Sequence, residues 1–294
     1  MTRKGATLTG FIAVLLWSLL AVLTVLTSPV PPFQLAALTF AVGAGVGLVW
    51  GAATGTLGRL RQVPVAVYAM GTFGLFGYHA LYFSALRLAP PAEAGLIAYL
   101  WPLLIVLLSG LLPGETLRRG HVAGAVLGFA GAALIILGGR GVAGTGAFAG
   151  YALALLCALF WSGYSVLSRR LGGVPTVSVT VFCAATAVLA AVVHMVTENP
   201  VAPSAVGWLA IIGLGLGPVG LAFFVWDIGV KAGDIQVLGT ASYAAPVLST
   251  MVLVLAGQSP ATWALAGATV LIAGGAALAA RASAKGPIVT PTDV

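Results

Sequence analysis

"LIAYLWPLL", residues 96–104, and "TASYAAPVL", residues 240–248, each place a proline three residues after a tyrosine in the middle of a long apolar run. A proline there removes a ladder hydrogen bond from any helix that contains it, so its return at the same place in two runs asks for a common cause. Sliding the chain by 144 residues superposes Tyr99 on Tyr243 and Pro102 on Pro246. It also superposes Leu15 on Leu159, Trp17-Ser18 on Trp161-Ser162, Val22-Leu23 on Val166-Leu167 and Arg87 on Lys231. Gly95 falls on Gly239, Leu104 on Leu248, and Gly131 to Ala133 on Gly275 to Ala277. A constant offset over that distance reads as an internal repeat.

Composition supplies the solvent. With 60% hydrophobic residues, 6% charged residues and a mean hydropathy of +1.11, the chain has too little polar surface to cover a globule in water. Apolar stretches of about membrane-spanning length lie at about 6–27, 33–54, 65–88, 92–112, 121–138, 146–168, 177–197, 205–229, 235–256 and 261–281. The expected fold is therefore all-α and integral to the membrane: ten transmembrane helices in two five-helix repeats, residues 1–140 and 141–294. Five is odd, so the second repeat enters from the opposite side and the repeats are inverted. The 40 glycines suit close helix packing in lipid.

With the N-terminus in the cytoplasm, Arg3, Lys4, Arg59, Arg61, Arg118, Arg119, Arg169, Arg170, Lys231, Arg281 and Lys285 lie inside, and only Arg87 and Arg140 outside. Both termini are expected to be cytoplasmic. The first stretch resembles a signal peptide but is too long and lacks a small-x-small cleavage site. The +7 charge is scattered singly or in pairs at the ends of apolar runs, which argues against a nucleic-acid partner.

Trp-Ser in the first helix of each repeat, a glycine-rich third helix ending in a basic residue and a mid-helix proline in the fourth resemble the EamA repeats of the drug/metabolite transporter superfamily. Within it, "GYHALYFSALR" (77–87) and "LIAYLWPLL" are similar to aromatic amino acid exporters. The resemblance covers the whole chain. It implies a secondary transporter of the bacterial inner membrane, with alternating access through a cavity lined by the first, third, fourth, sixth, eighth and ninth helices. The alternative it leaves open is a drug or other metabolite exporter. One departure stands out: Glu115, in "LPGETLRR", closes the fourth helix, whereas the second copy reads "AGQSPATW" with Gln258.

Candidate site residues follow from type and spacing. Tyr78 and Tyr82 are i and i+4, with His79 beside them, after a stripe of Gly71, Gly74 and Gly77. Trp101 lies beside the proline, and Trp17, Trp161 and Tyr164 supply aromatics in the first helix of each half. Tyr99, Tyr243 and Ser242 join them at the breaks. Aromatic faces would bind an apolar side chain, and indole, phenol and imidazole donors would hold a carboxylate, with His79 expected at the carboxylate and Trp101 against the side chain. The bland reading of Trp17, Trp161 and the tyrosines is interfacial belt or packing. Pro102 and Pro246 are the expected hinges, freeing the carbonyls of Ala98 and Ser242.

Asp227 and Lys231, at i and i+4, read as an ion pair, and Arg87 with Glu93 as a second one or as water-facing charges. Only His79, Asp227 or His194 could serve a proton relay. Cys157 and Cys183 are single and read as core. There is no HExxH pair or P-loop, and "FWSG" (160–163) lacks the leading glycine of an intramembrane serine protease, so no enzyme, metal or cofactor is expected. The partners are amino acids and the bilayer; a monomer is plausible.

Overall fold

The computed structural model describes residues 1–137, 147–255 and 262–284, without the side chains of residues 91–93, 135, 136 and 253. Arg140, Gln258, Lys285 and the Glu93 side chain lie outside the described residues. Every stretch expected to be helical carries helix, and there is no strand among the described residues. In chain order the rods are the first (Arg3–Leu26), second (Pro32–Ala53), third (65–88), fourth (91–109), fifth (Arg119–Ile136), sixth (Phe148–Arg170), seventh (Thr176–Thr197), eighth (Ala205–Ala232), ninth (235–255) and tenth (Trp263–Ser283). Seven of these are long and apolar enough to cross a membrane: the first, second, sixth, seventh, eighth, ninth and tenth.

The rods pack across the two halves of the chain. The fifth lies on the tenth, the second on the seventh, the first on the eighth, the third on the sixth and the fourth on the ninth. Glycine sets how closely they approach. A Cβ on Gly10 would stand 2.8 Å from the Cα of Gly229, and Gly124 and Gly275 meet backbone to backbone between the fifth and tenth rods.

Among the described residues five rods are interrupted near their middles, and four of the interruptions fall in two matched pairs. The third and eighth each contain a π-turn, Phe73–Gly77 and Gly217–Leu221, at the same place in the repeat. The fourth stops at Ala98 and restarts at Trp101; the ninth stops at Ala241 and restarts at Ala244. Both prolines therefore act differently from the expected kink within a continuous helix. Pro102 is the second residue of a new helix, where its missing N–H would have had no ladder partner. Pro246 is the third residue of its own.

The first rod breaks as well, after Trp17, with no proline to cause it. The Ser18 hydroxyl donates to the Leu15 carbonyl at 2.6 Å, and the Ser18 N–H reaches both Val14 (3.2 Å) and Leu15 (3.3 Å), which tightens the turn. Its repeat mate Ser162 donates to Ala158, one residue further back, at 2.7 Å, and the sixth rod runs on unbroken.

Candidate functional site

The interruptions bring the aromatic residues of both halves to one place. Trp17 ends the first helix, Trp101 starts the second part of the fourth rod, Trp161 sits mid-way along the sixth and Trp226 follows the π-turn of the eighth. Ring centroids are 5.1 Å apart for Trp17–Trp226, 5.8 Å for Trp17–Trp161 and 5.9 Å for both Trp17–Trp101 and Trp101–Trp226. Trp101–Trp161 and Trp161–Trp226 close the set at 6.2 Å. Each of the four indoles thus touches the other three, mostly edge to face, the geometry that ring quadrupoles favour.

Two of the indole N–H groups are committed. Trp17 Nε1 donates to the Pro218 carbonyl in the eighth rod's π-turn at 3.1 Å, and Trp226 Nε1 donates to Ser165 Oγ at 3.1 Å. Trp101 and Trp161, both buried, engage theirs with no acceptor among the described residues. Phe223 lies 5.6 Å from Trp161 and stacks on Phe40 at 5.6 Å. Neither phenylalanine, nor Trp226, was among the residues expected from sequence. Phe223 and Trp226 stand 144 residues beyond His79 and Tyr82, so the repeat pointed to them.

Next to the indoles, Tyr78 and Tyr82 stack at 6.0 Å with an 11° interplanar angle, on the shared face that their spacing predicts. Tyr78 lies 5.7 Å from Trp161, and Tyr99 lies 6.5 Å from Trp101. These three tyrosines, His79 and Trp17 are only partly buried and form the accessible side of the cluster. His79 turns toward Phe40 (5.0 Å), and its Nδ1 stands 2.7 Å from the Leu75 carbonyl. Only an N–H approaches a carbonyl so closely, so Nδ1 carries a proton and Nε2 of the neutral ring is an acceptor.

Among the described residues, the hydroxyls of two expected site residues are engaged within the fold, and that of a third is not. Tyr243 is fully buried, and its hydroxyl accepts the Leu103 N–H at 3.1 Å, satisfying a donor that the break in the fourth rod leaves free. Its ring packs among Ala132, Val247, Ala268 and Ile272, in a cluster separate from the indoles. Ser242, also fully buried, donates to its own helix at Leu238. Tyr164 is buried 5.4 Å from Trp161, with its hydroxyl unpartnered among the described residues. The glycine stripe proves to be a bed for rings of the other half: Gly71 receives Phe182, Gly74 receives Tyr164 and Gly77 receives Phe160.

The charges fall outside the cluster. Lys231 Nζ contacts Asp227 Oδ2 at 2.8 Å, the expected pair, and Thr176 donates to the same oxygen at 2.7 Å. Arg87 pairs with Glu198 at 3.1 Å. Cys157 and Cys183 are buried and free.

An all-helical chain with apolar rods and a central aromatic cluster has the form of a membrane transporter, and this one belongs to the EamA-like transporter family, whose model matches it at residues 4–137 and again at 148–281. It is 57% identical, over 95% of its length and 98% of the relative's, to the aromatic amino acid exporter YddG of Ancylobacter novellus. It is 25% identical, over 97% of its length and all of the relative's, to the aromatic amino acid exporter YddG of Escherichia coli. A probable terminal-alkyne amino-acid exporter of Streptantibioticus cattleyicolor is 27% identical over 76% of each chain. One solved crystal structure, 55% identical, superposes with a TM-score of 0.92 over 96% of this chain and all of that one.

Proposed function

We propose that this protein exports amino acids, aromatic and other apolar ones, by alternating access between two inverted repeats of five transmembrane helices. The observation that carries the reading is the four-indole cluster at the junction of the halves. It offers ring faces to an apolar side chain, and among the described residues no carboxylate contacts it. A cavity for cationic drugs would call for an acid there, and the nearest candidate, Asp227, is already held by Lys231 and Thr176. The names of the relatives that match along nearly the whole chain support the same substrate class.

The tautomer of His79 refines the recognition scheme. In the neutral ring Nε2 accepts, which suits the substrate ammonium better than its carboxylate. The uncommitted N–H groups of Trp101 and Trp161 are the donors for the carboxylate, and Tyr78, Tyr82 and Tyr99 wall the side chain. Matched π-turns, matched breaks and the two family matches 144 residues apart support the repeat. The cross-half pairing of rods supports a pseudo-twofold relation between the halves, since each pair maps onto itself or onto another when the halves are exchanged, and the odd number of rods in each half supports the inversion. Both termini are assigned to the cytoplasm of a bacterial cell, with the protein in the inner membrane.

The test is transport by the purified protein in proteoliposomes against a panel of labelled amino acids and one lipophilic cation. Counterflow of tryptophan and phenylalanine is expected to exceed that of charged amino acids. Transport of the cation alone would reject the reading.

A further inference from the structure

Two nearly buried carboxylates hold opposite ends of the bundle. The first rod is 24 residues long, about 36 Å at the rise of an α-helix. Glu115 lies at the end where that rod starts and Glu198 at the end where the second rod starts. Their side chains are only 5% and 3% exposed, and each ties one half of the chain to the other.

The ties differ in kind. Glu198, on the second half, accepts the backbone N–H groups of Phe33 and Gln34, both at 3.1 Å, in the first turn of the second rod. Arg87 (3.1 Å) and His194 (3.0 Å) complete its shell, and Gln34 exchanges two hydrogen bonds with the backbone of Val201 at 2.7 and 2.9 Å. A carboxylate that caps a helix moves with that helix or leaves its N–H groups bare. Among the described residues the carboxylate of Glu115, on the first half, is held by guanidinium groups alone: Arg3 at 3.1 Å, and Arg169. Arg169 is anchored to the second half through the carbonyls of Val230 (3.1 Å), Lys231 (3.2 Å) and Gly233 (2.7 Å). Arg3 continues to Asp234 at 3.2 Å, and its side chain is 51% exposed. Water replaces a carboxylate on such a guanidinium readily, whereas nothing in the fold replaces a trans cap.

We propose that Glu115 is the latch of a gate at the basic end of the protein, released when the Arg3 and Arg169 contacts part, and that Glu198 is the pin holding the second and seventh rods together through the cycle. The inference rests on the alternating-access reading. It explains why a glutamate that the second repeat does not reproduce closes the fourth rod.

Spin labels on cysteines replacing Pro113 and Gly172, exposed residues of the two halves beside the latch, report the gap in the full chain reconstituted in vesicles. Glu115→Gln is expected to raise the long-distance population several-fold, and Arg3→Ala to raise it less. Glu198→Gln is expected to lower thermal stability and leave that distribution unchanged. Distributions in Glu115→Gln and Arg3→Ala equal to the unmodified protein's would overturn the latch, and widening in Glu198→Gln would overturn the pin. Should Glu115→Gln fail to fold, Arg3→Ala decides alone, since its half-exposed side chain has no place in the core. Tryptophan counterflow in the same vesicles separates the two readings: its absence in the unmodified protein rejects the exporter, while the distances still judge the gate.

Discussion

At the scale of single residues, packing and recognition make different demands on similar side chains. Trp101 is buried with its N–H uncommitted, so Trp101→Ala removes a ring face and a donor together. It is expected to penalise tryptophan and phenylalanine more than alanine or threonine, and transport kinetics that keep the wild-type ranking would take Trp101 out of the site. His79→Ala, which removes the Nε2 acceptor proposed for the substrate ammonium, should weaken all amino acids by roughly 10- to 100-fold. That follows from the 1.5–3 kcal/mol typical of a hydrogen bond to a charged group. Tyr243→Phe has the opposite profile: it strips the acceptor from the half-buried Leu103 N–H, worth about 1–3 kcal/mol, with the substrate ranking intact. Most of the cluster was legible as aromatic residues near breaks and repeat positions. Trp226 and Phe223 were not, because identical residues were matched across the repeat, whereas the useful relation here joins unlike residues at equivalent positions. The hydroxyls of Tyr243 and Ser242 are engaged within the fold for a related reason: the backbone donors and acceptors exposed at a break compete for nearby hydroxyls.

At the scale of elements, the interruptions place the aromatic cluster, and they were legible to different degrees. Proline marked the breaks in the fourth and ninth rods, although the helices end before it and do not bend at it. The break after Trp17 left no such mark, since Ser18 has an identical mate in the unbroken sixth rod. The π-turns left glycines and, in the eighth rod, Pro218; the glycines of the third rod, read as a smooth surface, are in fact seats for rings. A Cβ on Gly74 would stand 2.6 Å from the Tyr164 ring, so Gly74→Ala must shift that ring or the π-turn. We expect a loss of about 1–3 kcal/mol in stability, the usual range for overpacking, measurable as an earlier unfolding transition in detergent. The double variant Pro102→Ala, Pro246→Ala gives both rods the N–H needed to bridge their breaks. It should slow transport with little loss of folded protein, and an unchanged rate would remove the breaks from the list of moving parts.

At the scale of the whole molecule, the contacts between charged groups turn a sequence rule into a testable topology. The bias of basic residues assigned Arg3, Arg169 and Lys231 to one side and Arg87 to the other. In the fold, Arg3 and Arg169 meet on Glu115, and Arg169 also binds the Lys231 carbonyl, while Arg87 meets Glu198 beside the start of the second rod. The sequence could not supply that partner for Arg87, because Glu93 was near in the chain and Glu198 lies 111 residues away. The two ends thus carry separate sets of charges, and the assignment of sides rests on the surplus of cations at the Arg169 end. A cysteine replacing Asn199, exposed next to Glu198, should react with a membrane-impermeant thiol reagent added to intact cells. One replacing Gln62, exposed in the turn after the second rod, should react only after the cells are opened. The native thiols, Cys157 and Cys183, are buried and give a low background. The reverse pattern would place both termini outside and turn the proposed latch at Glu115 into an external gate.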